Sequence, residues 1–118
     1  MFPFVSGLEE LRAARAAVAH AAASLRERGE QVPDVPIGVM IELPSAALTA
    51  DLLAGEADFF SIGTNDLIQY CLAVDRTDDR VSRLYEPLHP AIIRAIRLVV
   101  RAGRRARIPV AVCGEMAA

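Results

Sequence analysis

Short apolar segments alternate with helix-forming segments along the whole chain, and this alternation most constrains the fold. Residues 37–41 and 59–62 have the length and composition of strands that are buried on both faces. Residues 110–112 form a third such run, and residues 2–5 have the pattern of a strand end interrupted by proline. Strands that alternate with helices form parallel sheets with right-handed crossovers. The sequence therefore predicts an α/β fold made of parallel βα units.

Helix signals fall between the predicted strands. Ser6 and Glu9 form an S-x-x-E capping box, which predicts a helix that ends at Gly29. A shorter helix is predicted over residues 46–54, and Pro90 suits the first position of the last helix. The apolar stripes expected to face the core comprise Leu8, Leu11, Val18 and Leu25 in the first helix and Ile92, Ile93, Ile96, Val99 and Val100 in the last.

Bulk properties exclude several classes of protein. The chain has 118 residues, of which 53% are hydrophobic, and this is typical of one globular domain at most. Its formal net charge of −2 gives no basic footprint for nucleic acid or for a membrane surface. No apolar run approaches the roughly 20 residues of a membrane span, and the first residues lack the features of a signal peptide. Cys71 and Cys113 show no metal-type spacing, so a reduced, cytoplasmic protein is the simplest interpretation.

Four parallel strands are half of the eight that close a (β/α)8 barrel of about 250 residues. The first and last apolar segments resemble interior strands, so they would leave sheet edges open at both ends of the chain. We therefore expect residues 1–118 to form part of a larger domain.

Polar side chains directly follow three of the predicted strands. Glu42 follows the strand at residues 37–41, Asn65 and Asp66 follow the next strand, and Cys113 ends the last one. Ligands bind at the carboxyl ends of strands in open α/β sheets and in barrels, and parallel strands bring those ends to one edge. We therefore expect these side chains to converge. Glu42 and Asp66 are hard oxygen ligands suited to Mg²⁺, although each carboxylate could instead cap the helix that follows it.

Five motifs occur in a characteristic order. They are MFPFVSGLEELR, VMIELPSAAL, GTNDLIQY followed by LAVDR, LYEPLHPAIIRAI and VCGEMA. Together they resemble the enzyme I family of the bacterial phosphoenolpyruvate-dependent sugar phosphotransferase system, over essentially the whole chain. The resemblance implies about half of a (β/α)8 TIM barrel of the phosphoenolpyruvate/pyruvate type, covering approximately its fourth to seventh βα units.

The resemblance also implies roles for five residues. Glu42 and Asp66 would bind Mg²⁺ together with phosphoenolpyruvate, and Asn65 would contact the phosphate. Arg76 would grip the anionic substrate through its guanidinium, whereas the pattern alone indicates a solvated charge. Cys113 would protonate the enolate of pyruvate, because a thiol with an ordinary pKa of about 8.5 is mostly protonated at neutral pH. Without the resemblance, Cys113 is better explained as a small buried apolar residue.

In the resembled family, the phosphoryl group moves to a histidine in a separate N-terminal domain and then to a small phosphocarrier protein. Neither His20 nor His89 lies in such a motif, so we expect this chain to be inactive alone. The resemblance also implies that the intact enzyme is a homodimer.

Alternative interpretations stay open. Pyruvate phosphate dikinase and phosphoenolpyruvate synthase share the acid pair, the NDL turn and the cysteine, although LAVDR and LYEPLHP favour enzyme I. A carbon-carbon lyase with a related Mg²⁺ barrel would not need the cysteine. A noncatalytic half-barrel that assembles through its open edges is the alternative from another class.

Overall fold

The computed structural model describes residues 1–75 and 77–117 and contains one three-stranded parallel sheet in that part of the chain. The strands lie side by side in chain order, and helices connect them. The helices are α1 (Leu8–Glu27), α2 (Pro44–Leu48), α3 (Ala50–Ala54), α4 (Thr64–Leu72) and α5 (Pro90–Ala106); the strands are β1 (Gly38–Ile41), β2 (Phe59–Gly63) and β3 (Val110–Cys113). The predicted α/β class and parallel sheet are confirmed.

The predicted fourth strand, at residues 2–5, is reduced to a single parallel bridge. Phe2 pairs with Val39 along the edge of β1 that is not bonded to β2. Pro3 has no N–H to continue a strand ladder, and Phe4 adopts a left-handed φ of 52°, which turns the chain away. Three strands and a bridge therefore replace the four strands expected.

The core lies between one face of the sheet and the helices α2, α3 and α5. Strand alternation places every second residue of β1 and β2 on this face. Burial of each large apolar side chain contributes about 1.5–3 kcal/mol, so this layer is the main source of stability. Its fully buried members include Val39, Ile41, Phe60 and Ile62 from the sheet and Leu53, Ile92 and Val99 from the helices.

Helix α1 departs from prediction at its start and along its buried face. Its N-cap is Gly7, and the Ser6 N–H donates to a carboxylate oxygen of Glu10 at 2.7 Å, so the predicted capping box is wrong. Leu11 is the one buried residue of the helix, while Val18 and Leu25 are 40% and 37% exposed, so the predicted stripe does not face the core along its whole length. The predicted end is confirmed, since the chain leaves the helix through a Gly29 φ of +82°.

The predicted helix over residues 46–54 is divided in two at Thr49. The Thr49 hydroxyl donates to the carbonyl of Ser45 at 2.8 Å, a bond of the kind that bends helices. The last helix begins at Pro90 as predicted, and His89 Nδ1 accepts the Ala91 N–H at 3.1 Å. Among the helices described, none combines the length and apolar character needed to cross a bilayer.

Gly103 lies where α5 packs closely against β3, and its substitution tests that packing. A Cβ at this buried position would overlap a methyl group of Val110, so we expect Gly103→Ala to lower the free energy of unfolding by about 1–3 kcal/mol. The sign of this change is informative. Alanine stabilises a helix by about 1 kcal/mol relative to glycine, so without the contact the free energy of unfolding should rise. Urea unfolding followed by circular dichroism measures the change.

Gly55→Ala is the matched control. Gly55 has a helical φ of −72°, and the nearest atom to a Cβ would be 3.5 Å away. This control should be neutral or stabilising by up to about 1 kcal/mol. A Gly103→Ala variant as stable as the control would contradict the close contact of α5 with β3.

Candidate active site

The register of the sheet aligns three residues at the carboxyl ends of its strands. Ile41 pairs with Ile62, so Glu42 and Gly63 are the next residues along each strand. Gly63 in turn pairs with Cys113. Glu42, Gly63 and Cys113 thus form one row across the sheet, which we call the strand-end row. The convergence expected from the sequence is found in this row for Glu42 and Cys113.

Glu42 is a buried carboxylate with a main-chain partner. Its side chain is almost enclosed, with the residue 2% exposed, and Oε1 accepts the N–H of Phe4 at 2.7 Å. Gly63 gives this carboxylate its space, because a Cβ at Gly63 would lie 2.9 Å from Glu42 Oε2. The left-handed turn at Phe4 and the absence of a side chain at Gly63 therefore both serve the placement of Glu42.

Asp66 lies in the first turn of α4 and brings a second carboxylate to Glu42. Burial raises the pKa of Glu42, and the charge and hydrogen bonding of Asp66 raise it further, while the Phe4 N–H opposes these effects. Two carboxylates this close repel each other when both are ionised. A cation between them would remove that repulsion, so the pair is suited to binding a metal ion.

Helix capping, the alternative for these two carboxylates, is not found. The N-cap of α2 is Leu43 and that of α4 is Gly63, and neither helix has a side-chain cap. The side chain of Glu42 points instead to Phe4 and Asp66.

The acid pair supplies few protein ligands. Across residues 1–75 and 77–117, no group of three or more His, Cys, Asp or Glu side chains is arranged to hold a metal ion. Two carboxylates fit Mg²⁺ nonetheless, because Mg²⁺ is usually held by one or two carboxylates and completes its shell with water and substrate oxygens. The donor set at Glu42 and Asp66 is therefore compatible with the predicted ion.

Asn65 connects α4 with the turn that follows β3. Its Oδ1 accepts the Glu115 N–H at 3.0 Å. The amide nitrogen still offers its N–H groups to a ligand, and a phosphate oxygen can accept them. A cleft of about 270 Å³ borders Asn65 and is also lined by Tyr85, Leu88 and Met116. The position of Asn65 is thus compatible with the predicted phosphate contact.

Cys113 is half-buried and held by two elements. Its Sγ accepts the Ser61 hydroxyl at 3.2 Å and donates to the Ile62 carbonyl at 3.4 Å. Its carbonyl oxygen accepts the hydroxyl of Thr64, a fully buried residue, at 2.9 Å. Cys113 is therefore not a core residue, and its thiol lies in the strand-end row.

Cys71 differs from Cys113 in its surroundings. It packs beside the core on α4, and burial raises the pKa of its thiol. The predicted packing role of Cys71 is confirmed.

Gly114 allows the turn after Cys113 to approach α4 closely. Its φ is +93°, and a Cβ there would lie 2.6 Å from Thr64 Oγ1 and 2.9 Å from Asn65 Oδ1. Substitution at Gly114 would therefore disturb both bonds that join this turn to α4.

Sequence reasoning missed three contributors to the site. Phe4, Ser61 and Thr64 hold the functional side chains, but nothing in their spacing shows these contacts. Two signals were available: Ser61 is a polar residue within an apolar strand, and Thr64 is one of the short polar residues at the end of that strand. Arg76, predicted to bind substrate, lies outside the described residues.

Comparison with known proteins gives one consistent family. The family model for the phosphoenolpyruvate-binding domain of phosphoenolpyruvate-utilising enzymes matches residues 1–118. Three similar proteins, all named phosphoenolpyruvate-protein phosphotransferase, come from Priestia megaterium (50% identical), Staphylococcus carnosus (48%) and Bacillus subtilis (48%). Each match includes 99% of this chain and 21% of the relative, so the chain spans about a fifth of the length of these relatives. A family match over the full length, together with an acid pair and a thiol at the strand ends, shows that the chain belongs to the phosphoenolpyruvate-binding domain family of phosphoenolpyruvate-utilising enzymes.

Proposed function

We propose that the chain is the phosphoenolpyruvate-binding part of a phosphoenolpyruvate-protein phosphotransferase. Such an enzyme moves the phosphoryl group of phosphoenolpyruvate to one of its own histidines, passes it to a small phosphocarrier protein for sugar uptake and releases pyruvate. The observation that carries the proposal is the strand-end row, which places Glu42 and Cys113 at one edge of the sheet, with the Asp66 carboxylate beside Glu42.

The acid pair is the proposed Mg²⁺ site. The Phe4 N–H holds the Glu42 carboxylate, and Asp66 lies in the first turn of α4. Both carboxylates are therefore positioned before the ion binds. Mg²⁺ there would neutralise charge on the phosphate and carboxylate oxygens of the substrate. The buried like-charge pair would thereby favour ion binding, since the ion would relieve the repulsion between the two carboxylates.

Asn65 and Arg76 are the proposed substrate contacts. The Asn65 amide would donate its N–H groups to a phosphate oxygen, while its own oxygen accepts a bond from the turn after β3. Arg76 would bind substrate oxygens through two parallel N–H donors, a geometry that suits phosphate and carboxylate. In this proposal these residues work mainly by orienting the phosphoryl group and by stabilising its charge.

Cys113 is the proposed proton donor. Departure of the phosphoryl group leaves the enolate of pyruvate, whose methylene carbon takes a proton to become a methyl group. A positioned thiol can act as general acid for this step. The place of Cys113 in the same row as Glu42 supports the assignment, because both groups must reach one small substrate.

The larger architecture belongs to the same proposal. We take the three strands in chain order as part of a (β/α)8 barrel, in which residues 1–118 supply about half of the βα units. The phosphorylated histidine and the phosphocarrier-binding surface would lie in other domains, and the intact enzyme would be a cytoplasmic homodimer. The names of these relatives favour this enzyme over the related dikinase and synthase.

Loss of either carboxylate should abolish metal-dependent substrate binding. We expect calorimetric titration of the chain with phosphoenolpyruvate to detect binding with Mg²⁺ and at least about tenfold weaker binding without it. Glu42→Ala and Asp66→Ala should each remove the Mg²⁺-dependent part, because Mg²⁺ would lose one of its two protein ligands.

Asp51→Ala is the matched control for these titrations. Asp51 is an exposed carboxylate in the first turn of α3, outside the strand-end row, so the control should bind like the unmodified chain. Binding that persists unchanged in Glu42→Ala and Asp66→Ala would refute the acid-pair site. A folded chain that binds nothing would show that this part of the barrel is insufficient for a site.

Glu42→Gln should separate metal binding from stability. The substitution keeps an acceptor for the Phe4 N–H and removes the charge that burial and Asp66 disfavour. Without Mg²⁺ at pH 7, we expect the melting temperature to rise by about 2–5 °C, as for an effect on the order of 1 kcal/mol. With Mg²⁺ the unmodified chain should have the higher melting temperature, because the ion stabilises only the unmodified chain.

The pH dependence of this difference follows from the raised pKa of Glu42. A group whose pKa is higher in the folded state contributes stability that is complete below its unfolded pKa and is lost as the pH rises through the folded value. The unmodified chain loses this contribution as the pH rises, and the glutamine variant cannot lose it. Thermal scans should therefore show that the difference in melting temperature between Glu42→Gln and the unmodified chain narrows as the pH falls from 7 towards 4. A constant gap would contradict the proposed origin in the Glu42 charge.

A further inference from the structure

Ser61 is a polar residue whose side chain has one clear function in the sheet. It stands in β2 between Phe60 and Ile62, both fully buried in the core. Because successive residues of a strand face opposite sides, Ser61 lies on the other face, away from the helices. Its hydroxyl donates to Cys113 Sγ at 3.2 Å. The hydroxyl therefore serves the thiol and contributes little to the apolar core.

The thiol of Cys113 makes two hydrogen bonds of different kinds. Sγ accepts from Ser61 and donates its own proton to the carbonyl of Ile62, at the longer distance of 3.4 Å. The bond to Ile62 disappears when the thiol gives up its proton, whereas the bond from Ser61 remains. Hydrogen bonds to an ionised group are roughly twice as strong as those between neutral groups. Ser61 must therefore interact more strongly with the thiolate than with the thiol.

We propose that Ser61 is a positioning residue for proton delivery, because its hydroxyl orients the Cys113 thiol and stabilises the thiolate left behind. The inference rests on the proposed function of Cys113. In this step the S–H bond breaks, and the proton joins the electron pair of the enolate carbon to form a C–H bond of pyruvate. The S–H electron pair stays on sulfur as the thiolate, which regains a proton from water. Only interactions that strengthen along the step accelerate it, and the Ser61 bond is of that type.

Thr64 has a separate part in the same arrangement. It donates to the Cys113 carbonyl at 2.9 Å and is fully buried, so it anchors the main chain and does not touch the sulfur. The Thr64 hydroxyl thus fixes the main chain of Cys113, whereas the Ser61 hydroxyl acts on the charge of its sulfur. A substitution at Ser61 changes the surroundings of the sulfur and leaves the Thr64 anchor in place.

The test is the rate at which iodoacetamide alkylates Cys113 in this chain at pH 7.5. Peptide mass spectrometry separates this reaction from that of Cys71, which serves as internal reference. Alkylation requires the thiolate. We expect Ser61→Ala to slow alkylation of Cys113 by about threefold to tenfold, allowing for the higher nucleophilicity of a more basic thiolate. The rate at Cys71 should stay within about twofold.

Ser61→Thr and Ser45→Ala complete the experiment. Threonine keeps the hydroxyl and should restore the rate to within about twofold, while Ser45 is an exposed serine whose substitution should change neither cysteine. If Ser61 had only a structural role, Ser61→Ala would change the alkylation rates of both cysteines or lower the melting temperature. The melting temperature is therefore measured for each variant. An unchanged Cys113 rate in Ser61→Ala overturns the proposal. This readout needs neither Mg²⁺ nor phosphoenolpyruvate, so its failure is distinguishable from failure of the proposed function.

Discussion

The site depends on one unfavourable interaction, the burial of the Glu42 carboxylate against Asp66. Burial and the like charge raise the pKa of Glu42, and a single N–H from Phe4 compensates in part. An ionised carboxylate in these surroundings lowers the stability of the chain, so packing alone gives no reason for its burial. The proposed cation would supply the reason, because it would turn the repulsion between two carboxylates into a shared attraction.

Backbone geometry makes this burial possible at two positions. Phe4 adopts a left-handed φ of 52°, unusual for a bulky residue, and its N–H meets Glu42 Oε1. Gly63 removes the side chain that would otherwise meet Oε2. The bridge between Phe2 and Val39 holds the first segment in place for this purpose. Strain and lost side-chain packing are therefore concentrated around the carboxylate, as is common where function requires them.

Sequence patterns predict the elements here better than they predict the contacts. Apolar runs locate β1, β2 and β3, and a strand-end rule places Glu42 and Cys113 at one edge. The capping box at Ser6 fails because Gly7 takes the N-cap and Ser6 offers its main-chain N–H to Glu10. The Ser61 and Thr64 bonds to Cys113 join residues about 50 positions apart, and such pairings depend on strand register, which short-range patterns do not encode.

Strand alternation separates the chemistry of this sheet from its stability. Phe60 and Ile62 face the helices and are fully buried, while Ser61 and Gly63 face the opposite side, where Cys113 and Glu42 meet them. Each face can therefore change with little effect on the other, since the residues of one face do not fill the packing of the other. A slip of one residue in the register would exchange the two sets and place a carboxylate and a thiol in the core. The apolar residues of the core face thus hold the register that the site requires, although none of them belongs to the strand-end row.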